Sequence, residues 1–82
     1  MAVQSYRDLV VWKKSMDLVT MIYQIVKQFP QTEQYGLSSQ ICRAAISIPS
    51  NIAEGHGRNS LNELRHFLAI ARGSLFLTST II

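Results

Sequence analysis

The sequence predicts an all-α protein, an antiparallel up-and-down helical bundle in a single domain at residues 1–82, a length that accommodates one domain. Apolar residues recur at spacings of three and four, the period of an amphipathic helix, and no alternating strand pattern interrupts them. Three such segments are separated by short loops, and helices joined by short loops pack antiparallel. We expect helices at about residues 7–29, 36–55 and 60–80.

The first helix carries more apolar surface than a single core requires. It ends at Phe29, because the residue before Pro30 disfavours helical geometry. Two apolar stripes run along it: Leu9, Trp12, Met16, Val19, Tyr23 and Val26, and Val11, Leu18, Ile22, Ile25 and Phe29. A surface helix needs one stripe to face its core, so the second stripe predicts burial against another surface.

The second helix contains a proline. Pro49 removes one backbone donor and collides with the carbonyl group of Ala45, so the helix either kinks or breaks there. We favour a kink at Pro49, because Ile48 and Ile52 keep the helical phase of Ile41 across it. Polar side chains around the proline are expected to satisfy the backbone groups that it frees.

The third helix has the clearest start in the chain. Ser60 and Glu63 match a capping box, in which the hydroxyl and the carboxylate satisfy free backbone amides. Gly73 and Ser74 lie in mid-helix and predict a close helix crossing. Residues 77–82 are uncharged and uncapped, so the ending is typical of a helix cut short. For the bundle core we expect Leu9, Trp12, Leu37, Ile41, Ile48, Ile52, Leu64, Leu68 and Leu75.

Composition excludes several ways of stabilising so small a domain. Cys42 is the only cysteine, so no disulfide forms within one chain, and with His56 and His66 it has no metal-ligand spacing. Hydrophobic residues make up 48% of the chain and charged residues 16%. This surplus predicts partner subunits, since chains of this size often rely on them. Neither a signal peptide nor a membrane span is recognisable, so we expect a cytoplasmic protein.

Several segments together resemble a known family. The most specific is the run SIPSNIAEG at residues 47–55. The others are residues 6–9, 11–12, 29–30, 35–40, 43–46, 57–58, 67–71 and 73–75. From residue 6 to residue 75 the chain resembles the bacterial four-helix-bundle proteins that are also called 23S rRNA intervening-sequence proteins. The accessory protein of diversity-generating retroelements is a relative of that family.

The resemblance implies a four-helix bundle that forms a homo-oligomer, often a pentamer, and has no established enzymatic activity or cofactor. For the retroelement relative it implies binding of nucleic acid and of a reverse transcriptase. Residues 76–80 depart from the family's usual acidic stretch, and a fourth helix is absent. We therefore expect three helices of a four-helix pattern, in a truncated copy whose exposed seam is covered by other subunits.

The net charge of +3 and the arrangement of arginines suggest contacts with phosphates. Arg58, Arg65 and Arg72 recur every seven residues beside the apolar seam of the third helix, and Arg43 lies in the family-like run. We predict these four as nucleic-acid-binding residues, in a protein with neither a catalytic nor a metal site. Alternatively, the arginines pair with glutamates, and the chain is a purely structural oligomer, a protein-partner-binding module or a non-functional copy.

Overall fold

The computed structural model describes residues 5–33 and 36–81, apart from the side chain of Glu33. Within these ranges the chain forms three α-helices, α1 (Val10–Val26), α2 (Leu37–His56) and α3 (Leu61–Ile81). Two short 3-10 turns, Tyr6–Asp8 and Gln31–Glu33, precede α1 and α2. No β-strand occurs in these ranges, so the prediction of an all-α fold is confirmed.

The order of the core contacts shows that consecutive helices run antiparallel. Near the end of α1, Ile22 and Val26 pack with Ile41 and Ala45 near the start of α2. The start of α1 instead packs beside the second half of α2, where Trp12 contacts the cluster of Ile48, Ile52 and Ala71. Along α3 the same reversal holds, because Gly55 meets Phe67 whereas Ser47 meets Ser74. This is the predicted up-and-down bundle.

The second helix is the centre of the bundle. It packs against both α1 and α3, whereas α1 and α3 make few contacts with each other. The molecule accordingly measures 45 × 23 × 16 Å, so it is elongated and thin. Helices that share one partner without closing on each other leave a groove between them.

The observed core is smaller than the predicted one. The buried apolar residues are Ile22, Val26, Ile41, Ala44, Ala45, Ile48, Ile52 and Ala71. Leu37, Leu68 and Leu75 were expected in the core, but they are 38–46% exposed to solvent. Their helical phase is correct, but no helix of the described chain packs closely enough to bury them. Both stripes of α1 are likewise covered only in part, since Val11 and Tyr23 are exposed.

The first helix is shorter than predicted at both ends. Ser5 accepts a hydrogen bond from the amide of Arg7 at 3.2 Å and starts a separate 3-10 turn, after which Leu9 is extended. At the other end the amides of Gln28 and Phe29 bond the carbonyls three residues back, at 3.0 Å each. The backbone therefore changes from α-helical to 3-10-type hydrogen bonds and leaves the helix before Pro30, as expected from the restriction on the residue before a proline.

The second helix continues through Pro49 without a break. Ser50 donates to the carbonyl of Ile46 at 2.9 Å, and the amide of Asn51 donates to the carbonyl of Ser47 at 2.7 Å. These side chains bond the carbonyls one and two residues after that of Ala45, the one that Pro49 deprives of its usual donor, so the expected bond to the freed carbonyl is not the one they make. A break is excluded, and the kink stays a prediction.

The close crossing of α2 and α3 occurs at a different glycine from the predicted one. A Cβ on Gly73 would have no atom within 4 Å, so the prediction that the helices approach closely at Gly73 is wrong. A Cβ on Gly55 would lie 3.0 Å from the Cβ of Phe67 and 3.3 Å from Leu64. Ser74 does face α2, where its hydroxyl contacts that of Ser47. Half of the capping box also forms, because the Ser60 hydroxyl accepts from the Glu63 amide at 3.4 Å.

Ser38 supplies a stability prediction. It is 2% exposed in the first turns of α2, and its hydroxyl has no hydrogen-bond partner. A buried hydroxyl without a partner costs about 1–3 kcal/mol, so Ser38→Ala should raise the free energy of unfolding by about 1 kcal/mol. Urea denaturation at a fixed protein concentration measures this change. The adjacent, half-buried Ser39 is the control, and a less stable Ser38→Ala variant would contradict the prediction.

Candidate nucleic-acid interface and association surfaces

In the described part of the chain α2 contributes to three grooves, and a further hollow of about 380 Å³ lies along the end of α1, from Val19 to Lys27. The apolar groove lies between α1 and α3, and its floor is Ile48 and Ile52 of α2. Its walls are Val11, Lys14, Ser15, Leu18, Leu68, Ala71, Arg72 and Leu75. It consists of two adjoining cavities of about 220 and 200 Å³, and their lining is almost entirely apolar. This groove exposes Leu68 and Leu75, two of the leucines that were expected in the core.

A second groove, here called the polar groove, lies between α2 and α3 on another side of α3. It measures about 600 Å³. It is lined by Gly36, Ser39, Gln40, Arg43, Ala44, Ser47, Ser74 and Leu77. Arg43 is the charged member of this set, so any charged ligand that the groove accommodates is negative.

The third groove, here called the aromatic groove, lies between α1 and α2. It measures about 340 Å³ and is lined by Tyr6, Trp12, Met16, Val19, Ile46, Pro49, Ser50 and Ala53. The rings of Tyr6 and Trp12 meet edge to face, with centroids 5.2 Å apart. The guanidinium of Arg7 stands 5.3 Å from the Tyr6 ring. The α1 residues of this groove belong to the first apolar stripe, whereas Val11 and Leu18 of the second stripe line the apolar groove.

Two of the four predicted phosphate-binding arginines are engaged within the bundle. Arg58 bonds the Glu54 carboxylate at 2.6 Å and stands over the Phe67 ring at 5.0 Å. This is the glutamate pairing that the sequence left open as the alternative for this residue. The Arg72 guanidinium lies over the ring of Phe76 at 5.5 Å, on the rim of the apolar groove. The contacts of Arg58 with Glu54 and of Arg72 with Phe76 join residues four apart, whereas the contact of Arg58 with Phe67 joins the turn after α2 to α3.

The other two arginines are exposed and form neither ion pairs nor ring contacts with the residues that the structure describes. Arg43 lines the polar groove, whereas Arg65 lies one heptad before Arg72 on α3. The four arginines therefore do not converge on one patch. Ser39 and Gln40, which the sequence did not single out, line the same groove as Arg43, because spacings of four and three residues place them on its side of α2.

Cys42, the single cysteine of the chain, is part of the packing of the bundle. Burial raises the pKa of the Cys42 thiol, which opposes the thiolate form that a nucleophile requires. Cys42 packs against the buried cluster that contains Ile41. Among residues 5–33 and 36–81, no group of three or more His, Cys, Asp or Glu side chains could hold a metal ion. In the same ranges no helix is long and apolar enough to span a membrane.

These features define a class: a small helical bundle whose exposed surfaces are an apolar groove, an aromatic groove and a polar groove with one cation. The family model of the 23S rRNA-intervening sequence proteins matches residues 7–82. The chain belongs to this family. The match continues through residues 76–80, which the sequence analysis set apart from the usual pattern, and α3 is helical there. No curated protein gives a significant match.

Proposed function

We propose that the chain is a non-enzymatic, self-associating helical-bundle protein that binds nucleic acid weakly, through charge, in the cytoplasm. The apolar groove is the observation that carries the self-association. Leu68 and Leu75 stand half-exposed on its wall, and Val11 stands exposed opposite them. Contiguous apolar surface of this kind marks an interaction site rather than ordinary surface.

The proposed occupant of the apolar groove is a second copy of this chain. On the outer side of α1, Val10 and Met21 are 66% and 56% exposed, and Asp17 lies between them on the same helical side. This apolar pair complements the apolar lining of the groove, whereas the charge of Asp17 is offset by Lys14 and Lys13, three and four residues before it on the same side. Burial of apolar area then supplies the free energy of association.

Nucleic-acid binding is supported by the positive charge of the chain. A single copy carries +3, and five copies, the number implied by the family resemblance, would carry about +15. Arg43 and Arg65 are the free cations among the predicted contacts, and Arg58 and Arg72 are held by neighbours. A binding surface of this type contacts phosphates and discriminates little between sequences.

The test combines light scattering with titration of a structured RNA. At tens of micromolar we expect an oligomer whose mass is two or more times the 9.3 kDa of one chain, and a clean monomer would contradict self-association. Two phosphate contacts per copy, from Arg43 and Arg65, predict that binding weakens roughly tenfold between about 50 and 200 mM salt. Binding that is absent at low salt, or insensitive to salt, would leave the alternative, a structural oligomer or a protein-partner-binding module.

A further inference from the structure

The polar groove between α2 and α3 has the composition of an anion site. We propose that it binds one phosphodiester group of a nucleic-acid backbone, with Arg43 as its anchor. This inference rests on the proposed nucleic-acid binding and names the place and chemistry of the contact. It singles out Arg43 because Arg58 is neutralised by Glu54 and Arg72 lies over Phe76 at the rim of the apolar groove.

Some hydroxyl groups in the groove form hydrogen bonds within the protein, and others have no partner among the described residues. The Ser74 hydroxyl donates to the carbonyl of Ile70 at 3.1 Å, so the hydroxyl of Ser47 donates to Ser74 in their mutual contact. The Asn51 amide then donates to the Ser47 oxygen at 3.3 Å. Ser47 and Ser74 are thus satisfied by each other and by the helix, and they tie α2 to α3.

Three donors remain for a ligand: the Ser39 hydroxyl, the Gln40 amide and the Arg43 guanidinium. None of them has a hydrogen bond to the residues that the structure describes, and all three line the groove. Spacings of three and four residues place Ser39 and Gln40 on the same side of α2 as Arg43. A forked guanidinium beside a hydroxyl and an amide matches the oxygens of a phosphate group.

The groove favours a phosphodiester over an isolated ion. Ala44 and Leu77 supply an apolar wall beside the donors, against which a sugar or a base edge can pack. The cavity of about 600 Å³ is an open groove along the helices, so a continuous strand can cross it. None of the residues that line it is acidic, and therefore nothing in it repels a backbone phosphate.

The experiment uses the full chain and a fluorescein-labelled single-stranded RNA of 20 nucleotides and mixed sequence, followed by anisotropy at about 50 mM salt. Arg43→Ala should raise the Kd about tenfold and lower the salt slope by about 0.7. Lys13→Ala, which removes the same charge from an exposed position of α1 outside the grooves, should change the Kd less than about twofold. Circular dichroism and light scattering of each variant establish that its fold and assembly are unchanged.

A second variant keeps the proposal testable if Arg43→Ala does not fold. Leu77→Glu places a carboxylate in the groove at a position that is 46% exposed, and it should weaken RNA binding more than tenfold. If the wild type binds RNA but both variants bind equally well, the groove proposal is overturned and the proposed function stands. If the wild type binds no RNA, the proposed nucleic-acid binding fails and the groove proposal with it. Binding of poly-glutamate at least as tight as that of the RNA would also overturn it in favour of an acidic protein segment.

Discussion

Gly55→Ala should lower the free energy of unfolding by about 1–2 kcal/mol, because the added methyl group overpacks the contact between α2 and α3. Its Cβ would lie 3.0 Å from the Cβ of Phe67, an atom attached directly to the backbone of α3. That atom cannot rotate away, so α3 must shift. The better helix propensity of alanine, about 1 kcal/mol, offsets part of the cost.

Gly73→Ala is the matched control, since it makes the same chemical change in an open position of α3. No atom lies within 4 Å of the added Cβ, so only the gain in helix propensity, about 0.5–1 kcal/mol, remains. Thermal unfolding at one protein concentration should therefore give Tm shifts of opposite sign for the two variants. If Gly55→Ala were as stable as Gly73→Ala, the close approach of the two helices at Gly55 would be refuted.

Leu75→Lys should weaken self-association at least about 100-fold, because it buries an unpaired charge where the second copy docks. The cost is not relieved by neighbours, since Lys14 and Arg72 on the same groove are also positive. Sedimentation or light scattering over a range of concentrations measures the dissociation constant of the oligomer.

Leu77→Lys is a closely matched control for this experiment, because it makes the same substitution at an equally exposed position of α3. Leu75 and Leu77 are both 46% exposed on α3, yet Leu75 lines the apolar groove and Leu77 lines the polar groove. The two variants have the same composition and charge, and only the groove differs. Equal loss of association in both would show that the apolar groove is not the contact between copies.

Much of the fold is predictable from the sequence because helical periodicity is local information. The phases of Ile41, Ile48 and Ile52 led directly to the buried face of α2, and Ser60 marked the start of α3. The error at Leu68 and Leu75 has a different origin. Periodicity identifies which side of a helix is apolar, but only the tertiary arrangement decides whether another helix covers that side.

The candidate site was less predictable, for reasons that also lie in tertiary structure. The pairing of Arg58 with Glu54 follows from a spacing of four residues and was foreseen as an alternative. The stacking of Arg58 on Phe67 joins two helices, so no spacing could indicate it. The same is true of Gly55, where the close contact depends on how α3 crosses α2 rather than on the glycine itself.

The central position of α2 has a consequence for how the chain reaches its fold. Each helix packs chiefly on its neighbour in sequence, so most interhelical contacts join segments separated by a short loop. Little loop entropy must then be spent before a contact forms, and proteins with such local topologies are among the fastest to fold. Two helical hairpins, α1 with α2 and α2 with α3, can form independently around one shared helix. Either hairpin can serve as the nucleus on which the remaining helix condenses.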